Sequence, residues 1–283
     1  MKKAALVLEG GATRGVFSSG VLDYLMEREL YLPYVIGVSA GSCNAVDYVS
    51  RQIGRTKNCM IPKSRKDSYL SLRKAVRTGN LFDMDMVFDE YPKKKFPFDF
   101  ETYRHSPIRC ELTVTNCLTG QAEYLDERTD MDRLLTICRA SCSMPLVSKM
   151  TEIDGVPYLD GGLADSVPVA RALREGYKKC VVVLTRNPGY RKKQHKNTAI
   201  LYHSSYKSYP ELVKTILRRP ANYNHTMELI ERLEEKGRIF VIRPLEKTVS
   251  RTEKNPETLE QFYLHGYELM KKRYEELTAY LNS

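Results

Sequence analysis

Short apolar runs alternate with amphipathic stretches through the first half of the chain. Ala4–Leu8 (AALVL) is an apolar run that ends at Glu9-Gly10-Gly11, the pattern of a buried strand entering a turn. Val16, Gly20, Leu22 and Leu25 then recur at helical spacing and offer one inner face. Tyr34–Val38 predicts a second strand, and Ala40–Val49 the helix after it. Such βαβα order predicts an α/β fold, with helices packed on a mainly parallel sheet.

Residues 51–105 break the rhythm: they are polar and basic, and Pro62, Pro92 and Pro97 interrupt them, with Pro107 just beyond. Leu70, Leu72, Ala75 and Val76 suggest one helix inside this stretch. An excursion lying over a site as a lid, or a plain connecting segment, fits it equally. Arg109–Asn116 (RCELTVTN) alternates as a strand does, and Thr119-Gly120 marks a turn before Ala122–Leu125, the second arm of a hairpin. Residues 131–139 read as a helix, while residues 181–185 and Ile239–Ile242 are apolar enough for buried strands. Over residues 256–283, Leu259, Phe262, Met270, Leu277 and Leu281 fall at roughly helical spacing. A terminal amphipathic helix against the core is the expectation there, with insertion at a membrane surface as the alternative. No internal repeat or low-complexity tract divides the chain, so residues 1–283 are expected to form one domain.

Composition narrows the class. No stretch approaches the roughly 18–20 apolar residues of a membrane-spanning helix, and the first apolar run is too short for a secretory signal. A cytoplasmic protein is expected. The seven cysteines include no CxxC pair, and no His or Cys cluster joins Cys138 and Cys142 to complete a metal site. They read as reduced thiols, mostly in the core. The net charge of +10 comes from clusters at residues 63–66, 93–95 and 191–196. These make a solvated surface, or a peripheral contact with anionic membrane headgroups. Nucleic acid is not expected as a partner, since neither zinc-finger spacing nor an RNA-binding aromatic motif is present.

Three segments carry candidate chemistry. The turn Glu9-Gly10-Gly11-Ala12-Thr13-Arg14-Gly15 joins a strand to a helix, so its N–H groups can gather at an anion, reinforced by the helix's positive end. That anion is either a phosphate or the oxyanion of acyl transfer. Gly37-Val38-Ser39-Ala40-Gly41 is a GxSxG between strand and helix, the nucleophile-elbow pattern, in which small neighbours let the serine sit on a tight turn. In Tyr158-Leu159-Asp160-Gly161-Gly162 a carboxylate follows an apolar strand, and two glycines allow close backbone approach. A serine needs a base. His105, His195, His203, His225 and His265 lie in no motif-like setting; a Ser–Asp–His order ending at His203 or His225 stays open, but nothing selects either.

Taken in this order, the three segments resemble the patatin-like phospholipase family, with its glycine-rich oxyanion loop, GxSxG serine and later DG[GA] aspartate. LVLEGGATRGVFSSGVLDYL, VIGVSAGSCNA, RASCSMPLVS and YLDGGLADSVPV extend the likeness, and VVVLTRNPGY and GRIFVIRP look like a bacterial branch. The match is weakest over residues 51–105. The resemblance implies a three-layer α/β/α sandwich and a serine lipid acyl hydrolase of phospholipase A or lysophospholipase type. Ser39 would be the nucleophile and Asp160 the proton acceptor, without histidine, cofactor or metal. N–H groups around Gly10, Gly11 and Ala12 would form the oxyanion hole, Arg14 and Gly15 would support that loop, and Gly37, Gly41, Gly161 and Gly162 would complete the motifs. Two departures stand out. Alanine replaces the third glycine of the common GGG, and a positive φ there would disfavour it; Asp165-Ser166-Val167-Pro168 replaces the common Asn-x-Pro, leaving Asp165 without a role. The competing reading is a nucleotide- or dinucleotide-binding α/β protein that uses residues 10–15 for phosphate, although the Walker lysine is missing.

Overall fold

In the computed structural model the described residues are 3–63, 69, 82–193 and 198–283. The helix suggested by Leu70, Leu72, Ala75 and Val76 lies outside them, as do parts of the basic clusters at 63–66 and 191–196. The chain runs β1 (Ala4–Leu8), α1 (Gly15–Glu27), β2 (Tyr34–Val38), α2 (Ala40–Val49) and α3 (Arg55–Met60). A π-helical segment, Met86–Lys95, precedes α4 (Phe100–His105), β3 (Arg109–Asn116), β4 (Ala122–Leu125), α5 (Met131–Cys142), β5 (Thr151–Ile153) and β6 (Val156–Asp160). Then come α6 (Val169–Arg174), β7 (Lys179–Val183), α7 (Ala199–Ser205), α8 (Pro210–Glu235), β8 (Ile239–Ile242) and α9 (Pro256–Asn282).

These strands form one sheet in the order β5-β6-β3-β2-β1-β7-β8, with β4 also on β3. The pairs β1–β2, β1–β7, β2–β3 and β7–β8 are parallel, while β4 and β6 pair antiparallel with β3. The alternation of side chains along β1 divides the two faces. Leu6 and Leu8 join the core under α1, α2 and α9, whereas Ala5 and Val7 join the core under α6 and α8. The α/β/α sandwich expected from the sequence is therefore present. The strand expected at 181–185 begins two residues earlier, and the helix expected at 131–139 continues to Cys142.

The described part of residues 51–105 is less polar in its role than in its composition. Tyr69, Phe82, Met84, Phe88 and Phe98 are buried in the larger core. The apolar pattern did not single out α8, whose 26 residues are interrupted by Pro220. Its buried face is nonetheless helical in spacing: Leu212, Val213, Ile216, Tyr223, Met227 and Ile230.

The terminal helix α9 lies along α1 so closely that two glycines form the contact. A Cβ on Gly20 would overlap the Tyr263 carbonyl oxygen, and one on Gly266 the Phe17 carbonyl oxygen. Beside this contact the Tyr263 hydroxyl donates to Asp23 Oδ2 at 2.9 Å, and Gly54 N donates to Oδ1 at 2.9 Å. Burial pushes the Asp23 carboxyl up to about 6. Gly20→Ala is expected to destabilise the protein by about 1–3 kcal/mol, because neither helix backbone can yield without losing packing elsewhere. Urea unfolding of wild type and variant measures it, and equal midpoints would show that the helices separate freely.

Candidate active site

Ser39 follows β2 directly, at φ 55° and ψ −125°, a left-handed conformation rare for a residue with a side chain. The turn closes because neither flanking glycine has room for a side chain: a Cβ on Gly37 would overlap the Gly41 carbonyl, and one on Gly41 the Leu8 carbonyl oxygen. Ser39 N donates to Ser141 Oγ at 2.8 Å, and Ser141 Oγ donates to the Thr113 carbonyl at 2.6 Å. Ser42 Oγ lies 2.9 Å from the same hydroxyl. Ser141 thus ties the strained elbow to β3, a role that its place in RASCSMP did not announce. Asn44 Nδ2 donates to the Gly15 and Ala40 carbonyls at 3.1 and 2.9 Å, joining the starts of α1 and α2.

Asp160 reaches Ser39 through strand register. Residues 109–113 of β3 pair with β2, and residues 114–116 pair with β6, while β4 occupies the opposite edge over residues 112–115. β2 and β6 therefore share one edge of β3 and meet end to end, Val38 opposite Thr113 and Asp160 opposite Val114. Ser39 and Asp160 line the same cavity, and Gly162 N donates to Asp160 Oδ1 at 2.7 Å. A Cβ on Gly161 would overlap the Thr113 carbonyl oxygen. Asp160 is only 4% exposed. Burial raises its pKa above the usual carboxylate range, opposed by the Arg219 charge, the Ser39 hydroxyl, the Gly162 N–H and Lys192. Arg219 itself is anchored by its Nε donating to the Gly162 carbonyl at 2.6 Å.

The glycine loop stands against both residues. A Cβ on Gly10 would press on the Val38 carbonyl and on Ser39 Cβ, and one on Gly15 on Ala40 Cβ. Ala12 sits at φ 50°, the conformation that disfavours an alanine, so here the loop carries strain that a third glycine would not. Among the described residues, the N–H groups of Gly10, Gly11 and Ala12 have no protein acceptor. The loop is held from behind by Glu9, which sequence reasoning passed over as a turn residue. Its carboxylate accepts from Thr185 N at 2.6 Å and from the Tyr223 hydroxyl at 3.0 Å, joining β1 to β7 and α8. Thr13 Oγ1 donates to the Ser250 carbonyl at 2.8 Å. Arg14 is buried, its Nε has no hydrogen-bond partner, and burial pulls the guanidinium down to about 10. Asp165, left without a role by the sequence, accepts from the Tyr124 hydroxyl at 2.8 Å and fastens β4 to the turn after β6.

Two cavities meet at Ser39, and Ala12 and Met144 line both. One, of about 120 Å³, is apolar and bounded by residues of α2, α5 and the 51–105 stretch, including Cys43, Met84, Phe88 and Cys142. The other, of about 710 Å³, holds the glycine loop, Asp160, Arg14 and Arg219. No histidine lines either cavity among the described residues, and His195 lies outside them. Nor do the described residues hold a cluster of metal-ligating side chains or a helix long and apolar enough to cross a membrane.

A mainly parallel sheet with a strained serine at a strand-to-helix turn, set beside a buried carboxylate and a loop of free N–H groups, defines a serine hydrolase. The comparisons with known proteins agree. Residues 6–173 match the patatin-like phospholipase model, so the chain belongs to that family, whose members are lipid acyl hydrolases of phospholipase type. Residues 209–282 match a domain of unknown function (DUF6363). The chain is 29% identical over 249 residues to the uncharacterized protein YjjU of Escherichia coli, covering 86% of this chain and 68% of that one. It is 23% identical over 168 residues to an uncharacterized NTE family protein of Mycobacterium tuberculosis, covering 59% of this chain and 45% of that one. The crystal structure of VipD from Legionella pneumophila superposes with a TM-score of 0.53 at 15% identity, over 97% of this chain and 67% of that one, a likeness of fold.

The buried carboxylate also affects stability. Its folded-state pKa lies above the unfolded value, so ionising it at neutral pH opposes folding, and the penalty vanishes once pH falls below the unfolded pKa. Asp160→Asn is therefore expected to melt higher than wild type at pH 7, with the advantage shrinking towards pH 3–4, the unfolded carboxyl's range of about 3.9. Calorimetry across pH checks this; a variant that melts lower at pH 7 would show that the carboxylate stabilises the site.

Proposed function

We propose that Ser39 and Asp160 hydrolyse a lipid carboxylic ester, with the acyl chain in the apolar cavity and the alcohol portion in the polar one. The observation that carries this reading is Ser39 beside a buried carboxylate, at the point where the two cavities join. Ser39 Oγ attacks the carbonyl carbon as its proton passes to Asp160. The carbonyl oxygen, now negative, takes the free N–H groups of Gly10, Gly11 and Ala12, a contribution worth roughly 10²–10³ in rate per donor in comparable sites. Arg14 and Gly15 keep that loop in place, and Gly161 and Gly162 keep the carboxylate in register. Collapse breaks the ester bond and Asp160 returns the proton to the departing alcohol. Water, deprotonated by the same carboxylate, then releases the acid from Ser39.

An aspartate is a weak base, and burial makes it a stronger one by raising its pKa. Activity requires the ionised form, so kcat/KM is expected to fall on the acid side at a pH above the ordinary value of about 3.9. Loss of the Arg219 charge removes the largest influence opposing that rise, so Arg219→Ala should move the acid limb to higher pH. A pH profile on a soluble ester reads both; an acid limb that Arg219→Ala leaves in place would remove Asp160 from the role of base. Ser39→Ala is expected to lower turnover roughly 10³–10⁶-fold, as loss of a nucleophile does elsewhere. If the variant turned over normally, the nucleotide-binding reading of the glycine loop would take precedence.

Ile200 and Leu201 support contact with a lipid surface. They are 82% and 51% exposed on α7, whose first residue, Ala199, lines the polar cavity. Exposed apolar side chains at a cavity mouth suit peripheral attachment. Ile200→Asp with Leu201→Asp should reduce hydrolysis of vesicle lipid several-fold relative to a monomeric ester, and an equal effect on both would place α7 away from the membrane.

A further inference from the structure

The larger cavity carries more positive charge than the chemistry at Ser39 needs. Arg14, Arg186, Lys192, Lys193, Arg219 and Arg251 line it, against the carboxylates Glu9 and Asp160. Both carboxylates already accept hydrogen bonds, Glu9 from Thr185 and Tyr223, Asp160 from Gly162. None of the six cations forms an ion pair among the described residues. They sit close enough to repel one another: after burial, Arg186 and Arg251 disfavour the charge on Arg14, and Arg219 and Arg251 that on Lys192. Arg14 is only 6% exposed, with its Nε unpartnered. A surplus of one sign around a buried guanidinium is unfavourable unless an anion completes it.

Three of the cations are also held in place. The Arg186 guanidinium lies 4.2 Å from the Tyr190 ring centroid, and the Lys192 ammonium 3.8 Å from that of Tyr223. The Lys192 backbone is clamped by Asn224, which accepts from its N–H at 2.8 Å and donates to its carbonyl at 3.1 Å. Arg219 is fixed by the Gly162 carbonyl. Three restrained guanidinium and ammonium groups lining one cavity match the several oxygens of a phosphate.

We propose that this cavity is a phosphate site, which holds the headgroup phosphate of a net anionic glycerophospholipid while the ester carbonyl rests at Ser39. The inference builds on the assignment of Ser39 as acyl acceptor and adds the substrate's charge. A headgroup that also carries a quaternary ammonium brings a cation into the same field and is disfavoured. Arg186 and Lys192 lie beyond the patatin-like match at 6–173, and Arg219 and Arg251 lie within 209–282. Headgroup selection thus belongs to the C-terminal part of the chain, and the ester chemistry to the N-terminal part.

The test compares kcat/KM for dioctanoyl phosphatidate, dioctanoyl phosphatidylcholine and an uncharged p-nitrophenyl ester, all as monomers. Calorimetric titration of Ser39→Ala with glycerol 3-phosphate and with inorganic phosphate runs beside it. Wild type is expected to prefer phosphatidate over the choline lipid by about tenfold or more, the scale of one charged hydrogen bond. Arg186→Ala and Arg251→Ala should each lower that ratio several-fold, and Arg251→Glu further; thermal melts confirm folding. Glycerol 3-phosphate should bind more tightly than inorganic phosphate. A ratio near one, or one that none of the variants moves, overturns the proposal, as does inorganic phosphate binding the better of the two. Cleavage of the uncharged ester without phosphatidate preference overturns the phosphate site alone and leaves the hydrolase standing. Binding of glycerol 3-phosphate with no ester cleaved overturns the hydrolase assignment and the lipid with it.

Discussion

On one edge of β3 the pairing partner changes between Thr113 and Val114, from parallel β2 to antiparallel β6. The change sets Val38 and Asp160 on adjacent positions of a single edge, so the elbow serine and a carboxylate about 120 residues apart become neighbours through backbone hydrogen bonds. Neither residue is positioned by a long side chain or a mobile loop. The same β3 segment supplies the Thr113 carbonyl that accepts from Ser141, which in turn holds the Ser39 backbone. Both cavities, the glycine loop and Arg219 are arranged around this one junction.

Several features of the site are unfavourable taken singly. Ser39 and Ala12 occupy left-handed backbone conformations, each costing on the order of 1 kcal/mol or more, and Asp160 is buried with its pKa raised. The surrounding structure over-determines them. Glu9 ties the glycine loop to β7 and α8, Thr13 ties it to the segment before α9, and the close contact of α1 with α9 through Gly20 and Gly266 fixes the start of α1 from outside. The C-terminal helices therefore do more than cover the sheet: they brace the glycine loop beside Ser39.

Most of the sheet and the two short motifs were legible in the sequence because both are local. Apolar runs bounded by glycine mark β1 and β2, and GxSxG and Asp-Gly-Gly state their own geometry. Ser141 and Glu9 escaped because their value lies in partners 102 and 176 residues away, which no local pattern encodes. Helix α8 escaped because Pro220 and a highly charged outer face mask an ordinary apolar stripe. With α8 unread, Arg219 and Tyr223 could not be placed at the site. Of the charge clusters only that at 191–196 reaches the site, through Lys192 and Lys193; Arg14 comes from the glycine loop, and Arg186, Arg219 and Arg251 are scattered through the chain and stood out in no local pattern. The alanine at the third loop position was recognised as awkward at positive φ, and φ is indeed positive there.

The central claim is that Ser39 is activated by Asp160 alone. Its most direct test is reaction of the purified protein with a fluorophosphonate ester, followed by mass spectrometry of the peptides. A single adduct on Ser39, formed by wild type, absent from Ser39→Ala and much slower to form in Asp160→Asn, is the predicted result. An adduct at another residue, or labelling of Ser39 at the wild-type rate in Asp160→Asn, would contradict it.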